Sequence, residues 1–316
     1  MNKYFIDQLV AGNYITGDQH EKIKDWLNKA PFSLHWELRT LLYAGVVLLA
    51  SGIGILIYDN IDTIGHVTII LIIAALCSYC FYYCFKNKLP FSKLQTKHES
   101  PLFDYVLLLG SLLFLTLEGY LQFKYTLFGT HYGLATLIPA LVFIFLAYYF
   151  DHAGVLSMGI TALSAFVGIT VSPGMILRNE LSEQSLIYTG AALAVFLIGT
   201  GYVLKVQDIK RHFTFIYYNF GFHMYFLCML AGIFTLGLPF IYFALLIVGC
   251  ALLMRYAIFE KSFYFLLISV IYAYIGITWA IFEMGMGYML GLYYFVFSCI
   301  LVIWFFLNYK KLLKLK

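Results

Sequence analysis

Ten long apolar stretches dominate the chain, and they constrain its fold more than any other feature. A helix needs about 20 apolar residues to cross a hydrocarbon core roughly 30 Å thick, and each stretch is close to that length. Charged residues make up 11% of the sequence, against about 25% in soluble domains, which excludes an ordinary soluble enzyme. The sequence predicts an all-α polytopic transmembrane helical bundle with about ten spans. These spans are 41–58, 67–85, 102–120, 132–150, 153–171, 185–204, 213–235, 238–254, 263–282 and 286–307.

The boundary between the seventh and eighth spans is the least defined. Only Leu236 and Gly237 separate the two apolar stretches. One kinked or re-entrant element is therefore an alternative to two separate helices.

The distribution of Lys and Arg predicts the orientation. With the N-terminus in the cytoplasm, only Lys124 and Arg178 of the 20 Lys and Arg residues fall in outer loops. Positive residues accumulate on the cytoplasmic side of membrane proteins. We therefore expect a multi-pass membrane protein with both termini in the cytoplasm.

The chain divides into a small head, a bundle and a tail. Residues 1–36 are amphipathic and predict a cytoplasmic helical head, in which Thr16 caps a second helix and Pro31 ends it. Residues 37–309 form the transmembrane bundle, and residues 310–316 form a basic cytoplasmic tail. The head is either a passive lid on the membrane surface or a docking site for a protein partner.

The head and the first span together resemble a known family. The segment YITGDQHEKIKDWL, followed by LLYAGVVLLASGIGILIYDNID, is similar to the bacterial predicted-membrane-protein family of domain of unknown function 2157. That family has a small helical head, a first span rich in Gly and Leu, and an N-W-D-like motif directly outside. Asn60 and Asp62 match the motif, while Ile61 replaces its Trp. The specific resemblance covers about residues 8–66 and implies a bacterial cytoplasmic membrane location without an established activity.

Three polar residues of the third span share one helix face. Asp104, Ser111 and Glu118 recur every seven residues, and seven residues fall only about 20° short of two helical turns. Because a charged group inside the membrane costs at least about 2.5–3.5 kcal/mol, such a face predicts a path for protons or cations. The alternative is structural: Asp104 lies at the interface, Glu118 caps or pairs at the outer surface, and Ser111 bonds its own backbone.

The seventh span places Asn219 and His223 on a single face, near the middle of the membrane. A histidine changes charge near neutral pH, as a proton relay requires. The alternative is a neutral imidazole that holds helices together between Asn219, a tyrosine hydroxyl and a carbonyl group.

Small and hydroxyl residues line one face of the fifth span. Ser157, Thr161, Ser164 and Gly168 follow helical spacing. Small faces allow helices to approach closely, so this span is expected at the centre of the bundle.

The predicted outer surface is rich in acids. Such a rim would concentrate cations, although it would also arise if positive residues were simply retained inside. The stretch from Asp59 to His66 contains no tight ligand spacing, so no metal site is predicted. Acidic and histidine residues expected outside are Asp59, Asp62, Glu118, Glu180, Glu183, Glu283, His66 and His131.

Several functional classes lack support in the sequence. A net charge of +4 is too small for a nucleic-acid partner. All six cysteines lie inside apolar stretches, so no disulfide is expected, and Cys77, Cys80 and Cys84 are interpreted as packing residues. The loops are short and carry no phosphate-binding or hydrolase motif, so neither a cofactor nor a catalytic residue is predicted.

The preferred hypothesis is proton- or cation-linked movement of an ion or small solute through the bundle. Asp104, Ser111 and Glu118 would line the path, with Asn219 and His223 at mid-depth. Two alternatives remain: a scaffold or sensor that docks a partner through the head, and an intramembrane enzyme with Glu118 or Asp62 as acid or base. The predicted mouth of the path consists of Asp59, Asp62 and Glu283.

Overall fold

The fold comes from a computed structural model that describes residues 16, 19, 35–96, 100–129, 131–171, 183–283, 285 and 288–312. The predicted head lies almost entirely outside these residues, as does the end of the basic tail. At Thr16 the backbone N–H donates a hydrogen bond to Gln19 Oε1 over 3.0 Å, the reciprocal contact of a helix N-terminal capping box.

All regular structure in the described residues is helical. Proline begins α3 and α8, where its missing N–H costs nothing. Asp151 adopts a left-handed conformation that ends α4 and turns the chain into α5. The helices are α1 (His35–Ile64), α2 (His66–Lys86), α3 (Pro101–Tyr125), α4 (Leu134–Phe150), α5 (Ala153–Val171), α6 (Glu183–Val206), α7 (Thr214–Thr235), α8 (Pro239–Phe259), α9 (Phe263–Glu283), α10 (Tyr288–Leu307) and α11 (Tyr309–Leu312), with a 3-10 turn at Arg211–Phe213.

Within the described residues, six helices are long and apolar enough to cross a membrane: α2, α3, α6, α7 with its preceding turn, α8 and α9. Shorter apolar segments lie in α1, α4, α5 and α10. The protein is therefore an all-helical membrane protein. The seventh and eighth predicted spans are separate helices packed on each other, so the alternative of one kinked element is wrong.

One correction concerns the end of a helix. Helix α1 continues to Ile64, so Asp59 and Asp62 lie within a helix that extends beyond the predicted span. In α5 the buried core positions are apolar and include Val155, Leu156 and Ile160, while Thr161 on the hydroxyl face is exposed.

Residues 1–53 and residues 54–316 form two compact units. The described part of the first unit is mainly the beginning of α1. The second unit contains two hydrophobic cores: one combines α2 to α6 with the start of α7, and the other combines α7, α8 and α9. Helix α7 therefore contributes to both cores, and α6 packs along it more extensively than any other described helix pair does.

One end of the second unit is formed by the loops that follow α2, α4, α6 and α8. These loops contact one another through Asp151, which meets Thr96 and Lys210, and through Glu260, which meets Arg211. We call this the basic end, because its described Lys and Arg residues are Lys86, Lys88, Lys93, Lys205, Lys210, Arg211, Arg255 and Lys261. Among the described residues 54–312, Lys124 alone carries a positive side chain at the opposite end.

Candidate functional site

The polar face of α3 turns inward. Ser111 is completely buried, and its hydroxyl donates a hydrogen bond to Leu107 O over 2.9 Å, as the structural alternative expected. Asp104 is half-buried near the start of the helix. Glu118 is only 6% exposed, although it lies in the last two turns of the helix.

The carboxyl group of Glu118 is one of several described buried polar groups with an unsatisfied atom. Its Oε1 is buried and has no hydrogen-bond partner among the described residues. The next polar residue along this face, Gln122, is occupied with the following loop: it accepts a hydrogen bond from Phe128 N–H over 2.9 Å and donates one to Gly129 O over 3.4 Å. A buried carboxyl group in a membrane helix usually marks a functional site.

Asn219 and His223 lie at the interface of α7 and α9. His223 Nδ1 is 3.0 Å from Tyr272 Oη, and His223 Nε2 is 3.3 Å from Tyr264 Oη. The Tyr264 hydroxyl donates a hydrogen bond to Asn219 Oδ1. Because that hydroxyl has one proton, it accepts from Nε2–H, and Nδ1 then accepts from the Tyr272 hydroxyl. A neutral imidazole therefore satisfies every bond of this network.

The structure does not bring the α3 and α7 groups together. Both described partners of His223 belong to α9, and α3 and α7 share no substantial interface in the described residues. Glu283 is exposed at the end of α9, and the side chains of Asp59 and Asp62 lie outside the described residues. The sequence analysis expected a tyrosine hydroxyl beside His223 as one alternative. It did not identify Tyr264 and Tyr272, because 41 and 49 residues separate them from His223.

The basic end contains a buried ionic cluster that the sequence analysis missed. Lys210 Nζ lies 3.0 Å from Asp151 Oδ2, and both side chains are 1% exposed. His212 Nε2 lies 2.7 Å from Asp151 Oδ1, and the backbone N–H of Thr96 donates to Oδ2 over 2.5 Å. The backbone N–H of Lys210 also donates to Lys93 O over 2.7 Å. One carboxylate therefore joins three loops.

The contacts of Asp151 determine its protonation. Burial opposes its ionisation, but the contacts with His212, the Thr96 N–H and Lys210 outweigh that cost and lower the pKa to about 2. The carboxylate is therefore charged throughout the physiological pH range.

Asp151 is expected to make the fold acid-sensitive in a narrow range. The unfolded carboxyl group titrates near pH 3.9 and the folded one near pH 2, so its stabilisation, roughly 2 kcal/mol, is complete above about pH 4 and is lost as the pH falls to about 2. The difference in unfolding free energy between wild type and Asp151→Asn, measured in an uncharged detergent, should decrease as the pH falls through this range. Asp208→Asn, at a side chain that is 71% exposed, should show no such change relative to wild type. A gap for Asp151→Asn that stays constant with pH would contradict the expectation.

A cavity of about 260 Å³ lies beside this cluster. It is formed where the ends of α6 and α8 meet the beginnings of α7 and α9. Its lining residues are Lys205, Arg211, His212, Thr214, Phe215, Tyr256, Glu260, Ser262 and Phe265.

Cys77, Cys80 and Cys84 are buried along α2, and the Cys77 thiol donates to Gly110 O over 3.5 Å. No group of three or more His, Cys, Asp or Glu side chains in the described part of the chain is placed to hold a metal ion.

Comparison with known families gives one result. Residues 7–156 match the family model described as predicted membrane protein (DUF2157). This part of the chain is therefore similar to that family, over a longer range than the head and first span. The DUF2157 segment includes Glu118 and Asp151, whereas Asn219, His223 and Lys210 lie beyond it. No curated protein and no solved structure matches the chain.

Proposed function

We propose that this DUF2157-containing chain is a ten-span protein of the bacterial cytoplasmic membrane that moves protons or cations through its helix bundle. Both termini lie in the cytoplasm, and Glu118 is the group that takes up and releases the transported charge. Movement of a small solute would be coupled to that step.

The arrangement of charged loops supports the topology. The loops after α2, α4, α6 and α8 meet at the basic end, which is the pattern of helices that cross alternately. The basic end is cytoplasmic under the positive-inside rule. Helices α1, α4, α5 and α10 complete the ten spans, although their uninterrupted apolar segments are shorter.

The observation that carries the function is the buried Glu118 Oε1 without a described hydrogen-bond partner. A carboxyl group used only for structure would be expected to pair, because an unsatisfied buried oxygen costs about 1–3 kcal/mol. An unpaired carboxyl group can instead bind a proton or a dehydrated cation and release it again. Ser111 and the half-buried Asp104 extend the same face toward the basic end. Asp104 lies about 21 Å from Glu118 along the helix.

His223 has a smaller role in this proposal. Its ring nitrogens both face tyrosine hydroxyls, and a neutral ring satisfies them. The network therefore fits helix packing, and flux is not expected to depend on protonation of His223. The scaffold and enzyme hypotheses remain predictions from the sequence, and the head on which the scaffold depends lies outside the described residues.

Flux measurements on Glu118 variants test the proposal. The full-length protein is reconstituted into liposomes that contain a pH-sensitive dye, and a potassium gradient with valinomycin drives proton entry. Glu118→Gln should lower the flux at least about tenfold, because an amide cannot take up and release a charge. A tenfold change corresponds to about 1.4 kcal/mol of barrier, which is less than the cost of placing a charge inside the membrane. Glu118→Asp should retain much of the flux, since it keeps an ionisable group.

Asp208→Asn is the control, because it makes the same carboxylate-to-amide change at a side chain that is 71% exposed and outside the predicted path. Its effect should be at most about twofold, as an exposed charge is screened by salt. Sodium and potassium isotope uptake in liposomes without valinomycin distinguishes cations from protons. If Glu118→Gln shows the same flux as wild type and an unaltered circular dichroism spectrum, the role of Glu118 is refuted. The absence of any wild-type flux would refute transport.

A further inference from the structure

We infer that the cavity at the basic end binds an anionic phosphate group, supplied by a phospholipid headgroup or by a soluble phosphate. This site is distinct from Glu118, and it would exist whether or not the protein transports ions.

The cavity contains one fixed cation and one available cation. Lys205 Nζ lies 2.6 Å from Glu260 Oε1 and 4.5 Å from the centre of the Tyr256 ring, so its position is held from two sides. Arg211 is 60% exposed, and its guanidinium nitrogens lie 3.6 Å from Asp208 and 3.9 Å from Glu260. Both distances exceed a hydrogen bond, so the N–H donors of Arg211 are available to a ligand.

The charges around the cavity favour an anion. Of the charged residues that line the cavity, Lys205 and Arg211 are positive and Glu260 is negative, while Asp208 lies 3.6 Å from Arg211 outside the lining. Asp151, which lies behind His212, is already neutralised by Lys210. The excess of Lys and Arg in the surrounding loops attracts anions to the mouth.

The shape and position of the cavity favour phosphate over other anions. A planar guanidinium presents paired donors that match phosphate oxygens, and the nearby Lys205 supplies a point charge. The rings of Phe215 and Phe265 line the apolar side of the cavity. Because the cavity lies where four apolar helices end, it is at the level of phospholipid headgroups if those helices cross the bilayer.

The direction in which replacement of Glu260 changes phosphate affinity tests the proposal. The carboxylate of Glu260 already pairs with Lys205 and lies near Arg211. It therefore competes with an incoming phosphate for both cations. Glu260→Gln should therefore tighten phosphate binding, whereas Arg211→Gln should weaken it about tenfold through loss of charge-assisted hydrogen bonds. A structural role for Glu260 alone would not tighten binding.

The experiment uses the full-length protein in dodecyl maltoside micelles. Binding is followed by native mass spectrometry and by the shift in the thermal unfolding transition, with phosphatidylglycerol, phosphatidylcholine and inorganic phosphate as separate probes. Arg255→Gln is the matched control, because Arg255 is exposed at the same end but does not line the cavity. Circular dichroism checks that each variant is folded.

Phosphatidylglycerol binding that weakens in Arg211→Gln, tightens in Glu260→Gln and stays unchanged in Arg255→Gln supports a lipid headgroup site. The same pattern with inorganic phosphate, and not with phosphatidylglycerol, supports a soluble phosphate. Equal binding by wild type, Arg211→Gln and Arg255→Gln would overturn the site, as would no response to either anion. Weaker binding by Glu260→Gln would also overturn it, because the carboxylate would then belong to the site.

Discussion

Replacing Lys210 with methionine is expected to lower the free energy of unfolding by about 3–5 kcal/mol. The substitution keeps most of the side-chain volume but leaves the carboxylate of Asp151 buried without its ammonium partner, and removal of one member of a buried ion pair costs about this amount. The backbone N–H of residue 210 still donates to Lys93 O in this variant, so the expected loss comes from the ion pair. The measurement is detergent-induced unfolding followed by circular dichroism.

Lys261→Met provides a matched control. Lys261 is also at the basic end and also has a positive φ, 54° against 47° for Lys210, but it is exposed. Its replacement should change the unfolding free energy by about 0.5 kcal/mol at most. The double variant Asp151→Leu/Lys210→Met should recover part of the loss, because it removes both buried charges. Equal effects of the two single lysine variants would refute a stabilising role for the buried pair.

Replacing Gly221 with valine is expected to cost about 3 kcal/mol, at the upper end of the range for overpacking. A Cβ atom at this position would lie 2.8 Å from Ile198 Cγ1, 3.1 Å from Ile198 N and 3.3 Å from Ala194 O. Two of these atoms belong to the backbone of α6, so a change of rotamer cannot relieve the clash. The two helices would have to separate along the most extensive helix contact in the described bundle.

Gly199→Val isolates the steric effect. Gly199 is in α6, and nothing lies within 4 Å of the position its Cβ would take. The substitution should therefore be close to neutral in the same unfolding assay, while Gly221→Val unfolds at lower denaturant concentration. If both variants behaved alike, helix propensity and not close packing would explain the loss.

Much of the fold followed from the sequence, because apolar length and helical periodicity are local properties. All ten predicted apolar ranges lie almost entirely within a helix, and the seven-residue spacing of Ser111 and Glu118 correctly indicated one buried face. The predicted end of the first span was too early, because polar residues such as Asp59 and Asp62 also continue a helix beyond its apolar segment.

The polar contacts were less predictable, because they join residues that are distant in the chain. Asp151 and Lys210 lie in different loops, and no spacing rule relates them. The hydroxyl groups of Tyr264 and Tyr272 are two among the 27 tyrosines of the chain, and only the packing of α9 against α7 selects them. The inward face of α5 depended on its neighbours in the same way, since Ser157 and Ser164 satisfy their hydroxyls on their own helix.

The double membership of α7 restricts how this bundle can move. The first turns of α7 pack in one core, and its remaining turns pack in the other. A rigid rotation of one group of helices against the other would therefore break the side-chain packing on one of the two faces of α7. Rocking of two halves around a central substrate is therefore mechanically costly in this architecture. Under the proposed function, a proton would need only side-chain rotations within a stationary frame, and such a frame would accommodate it better than a large solute.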